Sequence, residues 1–129
     1  MLYTLANCLD YSSVESPAVV RYKEIASILP PLTNGYYIVF IELADDSVRI
    51  TEREEKILDE LLRKYAKTYN MARHVEALQA LKILQVIPGT FREMARLLME
   101  EGAPPNQIKI PRVLRRDKLI EFMFTRIKN

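Results

Sequence analysis

The sequence predicts a mainly α fold: a compact bundle of about five to six helices with one short β-hairpin, forming a single helical domain over residues 1–129. Three observations predict it. Apolar residues recur at the spacing of an amphipathic helix through most of the chain, Thr-x-x-Glu start signals stand at Thr51 and Thr90, and only residues 36–41 are dense in aromatic and β-branched side chains. The 129 residues are 49% hydrophobic, enough for one core, and no linker-like stretch divides them.

Leu2, Leu5, Ala6 and Leu9 share a helical face, so the chain is read as opening with a short helix that stops near the polar residues 10–13. Ser16 and Pro17 supply an N-cap and a proline at the first helical position, where a missing N–H costs nothing. A helix then continues over residues 19–29, until Pro30 and Pro31 end it. Thr33-Asn34-Gly35 is turn chemistry, and residues 36–41 read as a largely buried strand. The chain turns at residues 44–47, where Asp45 and Asp46 bond nearby backbone, and Val48 and Ile50 return as the second strand of a ribbon. A helix over residues 36–43 is the alternative reading, and periodicity leaves it open.

Thr51 and Glu54 form a capping box that starts the next helix. Ile57, Leu58, Leu61, Leu62 and Tyr65 fall on one arc, and Glu52/Lys56, Asp59/Arg63 and Glu60/Lys64 read as a solvated face of opposite charges four apart. Over residues 71–87 the apolar side chains point in nearly every direction around a helix, which places that helix at the centre of the bundle. Pro88-Gly89 breaks it. Thr90 and Glu93 start a short helix that Gly102 caps in a left-handed conformation, and a last helix is expected over residues 111–127.

Charge is sorted along the chain. Residues 1–60 carry five Lys/Arg against eleven Asp/Glu, and residues 61–129 carry fourteen against six, so a net charge of +2 conceals −6 and +8. A basic, helix-rich half points to phosphate, and an acidic half offers a surface to a protein neighbour, copies of the chain included. Scarce glycine and abundant Lys, Arg and Glu are a thermophile-like balance.

The terminal helix is the first candidate site. Leu119, Ile120, Met123, Phe124 and Ile127 gather on one side, and Arg115, Lys118 and Arg126 on the other, with Phe122 between the cations. A ring flanked by cations can stack a base while the charges hold phosphates. Lys109, Arg112 and Arg116 extend the cluster, and Arg63, Lys64, Lys67 and Arg73 form a second one. The alternative is that Phe122 packs against a neighbouring subunit and the cations solvate the helix.

Cys8 is the only cysteine and His74 the only histidine, so no intramolecular disulfide, Cys-based cluster or paired-histidine motif is available, and no metal or cofactor is expected. No glycine-rich phosphate loop or nucleophile elbow is present, so no catalytic residues are assigned and the chain is read as not an enzyme. The first residues lack a signal peptide's pattern and no apolar run approaches the ~20 residues of a membrane span, which implies an intracellular, cytoplasmic or virion-associated protein with no membrane partner.

These readings converge on a small non-enzymatic nucleic-acid-binding subunit of a larger nucleoprotein assembly. An effector-complex small subunit or a coat-like protein, viral or archaeal, has this design, gripping DNA or RNA phosphates through the basic C-terminal half. Two alternatives are a protein–protein interaction module with an acidic partner and a winged or helix-turn-helix transcription regulator. The long connection over residues 102–110 counts against an ordinary helix-turn-helix.

Overall fold

The computed structural model describes residues 35–128 and the backbone of residues 2–7. The fold is α/β. Strand β1 (Leu2–Asn7), β2 (Tyr37–Glu42), β3 (Lys82–Val86) and β4 (Val113–Leu114) form one sheet in the order β3-β2-β1-β4. β1 runs antiparallel to β2, in the register Leu2↔Glu42 to Asn7↔Tyr37, whereas β2/β3 and β1/β4 are parallel pairs. Four helices accompany the sheet among the described residues: α1 (Glu52–Tyr65), α2 (Lys67–His74), α3 (Thr90–Glu100) and α4 (Asp117–Thr125).

Parallel neighbours cannot be joined by a tight turn, so β2 reaches β3 through the α1–α2 pair. Alternation along β2 sends Ile38 and Phe40 to one face and Val39 and Ile41 to the other. Ile38, Phe40, Leu84 and Val86 join Met94 of α3 and Leu119, Ile120, Met123 and Phe124 of α4 in one core, where Phe40 and Phe124 meet edge to face at 5.6 Å. Val39, Ile41, Leu78, Leu81 and Tyr69 form the core beneath α1 and α2. The sheet is therefore covered by a helical layer on each face.

This architecture corrects the helical-bundle expectation. Residues 2–7, read as a helix, are β1, because a short apolar run satisfies both periods and the antiparallel ladder with β2 decides it. The central helix over residues 71–87 does not exist: α2 ends at His74 and residues 82–86 are β3. Its apolar side chains point in all directions because they serve two sheet faces, which is how a strand buried on both sides reads. The Val48/Ile50 ribbon strand is a loop instead. The Gln85 side chain holds it, accepting the Ile50 N–H at 2.9 Å and donating to the Val48 carbonyl at 2.8 Å. The strand over residues 36–41 is present as β2, so the alternative helix there falls away. The helix expected over residues 19–29 lies outside the described residues.

Local signals fared better. The Thr51–Glu54 capping box forms, with the Thr51 N–H donating to the Glu54 carboxylate at 2.9 Å. Gly102, at φ +104°, donates to the Met99 carbonyl at 2.9 Å while Ala103 N–H reaches Leu98 at 3.1 Å, the paired bonds of a Schellman C-terminus. The second capping box does not form. Gly89, at φ +87°, is the N-cap of α3, so Thr90 lies inside the first turn, and its hydroxyl donates to the Ile87 carbonyl at 2.6 Å.

The last helix is shorter than expected. Residues 113–114 are the edge strand β4, and α4 begins only at Asp117, with Arg116 as its N-cap. No described helix is long and apolar enough to cross a membrane.

Candidate functional site: the cleft beside α1 and the carboxyl end of the sheet

A cleft of about 970 Å³ lies between α1, Arg73 of α2 and the start of β3. Its floor is polar. Asp59 of α1 is buried, and Arg73 grips it with two hydrogen bonds, Nε to Oδ1 at 3.0 Å and Nη2 to Oδ2 at 2.9 Å. The Tyr69 hydroxyl donates a short hydrogen bond to the same carboxylate and accepts the Leu81 N–H at 3.3 Å. Beside this group Lys82 pairs with Glu55 at 2.9 Å.

Electrostatics fix the protonation states. Burial works to raise the Asp59 carboxyl, but hydrogen bonds from Arg73 and Tyr69 and the Arg73 charge outweigh it, and Asp59 is held below the ordinary carboxylate value. Burial, then the Asp59 bond, pushes the Tyr69 hydroxyl upward, so Tyr69 stays neutral. Arg73 is held more firmly charged, first by its hydrogen bond to Asp59. Asp59 thus has its lone pairs committed to internal donors, and the group works as a clasp between α1, α2 and β3. It supplies no poised base.

Sequence reasoning placed Asp59 on a solvated face opposite Arg63, and the structure corrects this. Arg63 turns to Asn70 Oδ1 at 2.9 Å, and Asp59 turns inward to Arg73. The available signal was Tyr69 and Arg73, four apart and therefore on one side of α2, offering two donors to a single acceptor.

A second cleft, about 610 Å³, sits at the carboxyl end of the parallel β2/β3 pair. That end of an α/β sheet is where ligands commonly bind. Here Glu42, the last residue of β2, fills the N-terminus of α3 with its own carboxylate, accepting Gly89 N–H at 3.1 Å and Phe91 N–H at 2.9 Å. The helix end's affinity for anions is thereby met internally. Arg92 and Ile110 line the rim.

The basic residues singled out from the sequence have different surroundings. Arg116 and Lys118 converge on Glu101 at 2.7 and 2.8 Å, and hydrogen bonds from Lys118 and then Arg116 hold that carboxyl below its ordinary value. Phe122 is half-buried against the α3–α4 core, and the Arg126 guanidinium lies 5.8 Å from its ring centre. Lys109, Arg112 and Arg115 are exposed along the chain leading to α4. In the second cluster Lys64 lies 5.2 Å from the Tyr65 ring, Lys67 is exposed at the start of α2, and Arg73 is consumed by Asp59. No group of three or more His, Cys, Asp or Glu side chains that could hold a metal ion occurs among the described residues.

A family model described as the GH3 family C-terminal domain matches residues 7–118. The chain belongs to this family. Two similar solved structures are a GH3.15 acyl acid amido synthetase and AtGH3.15 acyl acid amido synthetase in complex with 2,4-DB. They superpose on 100% of this chain with TM-scores of 0.69 and 0.70, at 18% and 17% identity. The chain spans only 19% and 20% of their lengths. No curated protein matches it.

Membership in the GH3 C-terminal domain family overturns the expected nucleic-acid-binding subunit, together with its nucleoprotein, coat-like and virion associations and its DNA or RNA partner. Sorted charge misled because it was summed along the sequence. In space, Arg73 meets Asp59, Lys82 meets Glu55, and Arg116 and Lys118 meet Glu101. Membership identifies a GH3 C-terminal domain and assigns no catalytic role to the chain itself.

Proposed function

We propose that this GH3 C-terminal domain serves an acyl acid amido synthetase, in which it forms a wall against the remaining four fifths of the enzyme while the reacting groups come from that larger part. The observation that carries the reading is the family match over residues 7–118, joined to a fold agreement that runs the full length of the chain. The clefts fit the role. Asp59, Tyr69 and Arg73 are locked into one another, and Glu42 is locked onto α3, so the buried polar groups of both clefts serve as preorganised structure. In this reading residues 1–129 are a single domain working in the cytoplasm.

The chemistry assigned joins an acyl acid's carboxyl carbon to an amine nitrogen: the amide C–N bond forms, a carboxyl C–O bond breaks, the amine gives up a proton to solvent, and the oxygen departs on a phosphate of a nucleoside triphosphate, the co-reactant supplied in the assay. The test is to isolate the native assembly through a tag on this chain and to follow amide formation by mass spectrometry over a panel of acyl acids and amines. Product is expected from the assembly and not from the isolated chain. An intact assembly that yields no amide across the panel contradicts the reading.

A further inference from the structure

Strand β3 stands at the margin of the sheet, so alternate backbone groups along it point away from β2. Left bare, such a row is a template on which another strand can assemble. Three separate contacts close it. The Glu55 carboxylate accepts the Ile83 N–H at 2.8 Å, the Arg126 carbonyl accepts the Ile87 N–H at 2.9 Å, and the Lys128 N–H donates to the Gln85 carbonyl at 2.8 Å. The last two come from a short antiparallel pairing in which Ile127 lies against Val86. That segment is pinned in turn: the Lys128 ammonium pairs with Asp46 at 3.0 Å, and its side chain is only 12% exposed.

We propose that Glu55 and residues 126–128 are an edge guard, and that the strand they exclude is β3 of a second copy of this chain. The sequence of β3, Lys82-Ile83-Leu84-Gln85-Val86, explains why exclusion is needed. In antiparallel pairing about Leu84, Lys82 faces Val86 and Ile83 faces Gln85. No like charges meet, and the pair closes on itself by two-fold symmetry. The opposite margin is protected by brevity, since β4 has two residues. The guard is independent of the amide-forming reading.

The test compares the 129-residue chain with Glu55→Ala, Lys128→Pro and the double variant. Light scattering over a concentration series gives the mass, hydrogen exchange is read at the Ile83 and Ile87 amides, and circular dichroism confirms folding. The unaltered chain is expected to hold a one-copy mass. Glu55→Ala speeds exchange at Ile83 and Lys128→Pro at Ile87, each by roughly tenfold, the scale of one lost hydrogen bond. The double variant moves toward a two-copy mass as concentration rises. A folded double variant that keeps the one-copy mass overturns the proposal, and so does an unaltered chain that already doubles. Should the double variant lose its fold, Glu55→Met decides: it keeps most of the side chain's length and removes both acceptor oxygens, and unchanged exchange at Ile83 overturns the guard.

Discussion

The two faces of the sheet solve the same burial problem by different means. Against α3 and α4 the contact is apolar, with Tyr36, Ile38, Phe40, Met94, Leu119, Ile120 and Met123 nearly or wholly inaccessible. Against α1 and α2 a smaller apolar cluster is supplemented by the Asp59–Tyr69–Arg73 clasp, and large apolar side chains remain outside, including Ile57, Leu61, Tyr65, Met71 and Val75. The first face gains stability without demanding directional bonds. The second depends on hydrogen-bond geometry, so it is sensitive to the loss of single polar atoms and to pH.

Substitutions separate these two modes. The largest effect is expected from Phe40→Ala, which removes a fully buried ring and its contact with Phe124, at a cost of about 4 kcal/mol in denaturant unfolding. Asp59→Ala strips the clasp of its acceptor and leaves the Arg73 charge unpaired. About 2 to 3 kcal/mol is expected, below the full cost of a buried orphan because the Arg73 side chain keeps 20% exposure. Replacing the pair together, Asp59→Leu with Arg73→Met, is expected to recover most of that loss. A double variant no more stable than Asp59→Ala alone would break the distinction between the faces.

The clasp also sets an acid dependence. Burial opposes ionisation of Asp59, yet the Arg73 and Tyr69 hydrogen bonds prevail and depress its folded value. A depressed carboxyl stabilises the fold fully above its unfolded value of about 3.9, and that contribution is lost as pH falls through the folded value. Unfolding followed between pH 5 and pH 2 is expected to show a steeper acid loss in the unaltered chain than in Asp59→Asn. Parallel pH curves would mean the clasp carries no linked proton.

Smaller effects sharpen the contrast. Gly102→Ala forces a side chain into the left-handed region at φ +104° and is expected to cost about 1 kcal/mol, read as a lower unfolding midpoint. Leu61→Glu, on the exposed flank of α1, is expected to change the isolated chain by no more than about 0.5 kcal/mol.

Features legible in the sequence were those decided within a few residues. The capping box at Thr51, the left-handed Gly102, the apolar side of α4 and the β-rich run of β2 rest on local chemistry. Features decided by distant partners were misread. Residues 2–7 become a strand because β2 lies beside them, and residues 82–86 become one because two helical layers bury both sides. Asp59 is drawn inward by donors ten and fourteen residues away. Thr90 could have capped α3, but Gly89 is the N-cap, and Glu42, nearly fifty residues earlier, takes the Gly89 and Phe91 N–H groups. Charge was the least transferable signal, since summing it along the chain conceals which cations are paired.

The central proposal is that this chain works as one part of a much larger enzyme, and native mass tests it most directly. Mass spectrometry of the species carrying this chain in gentle extracts of its source is predicted to give about five times the mass of the free 129-residue chain, following the 19–20% share of the similar structures. A species of the free chain's mass, with no larger form, would contradict the account.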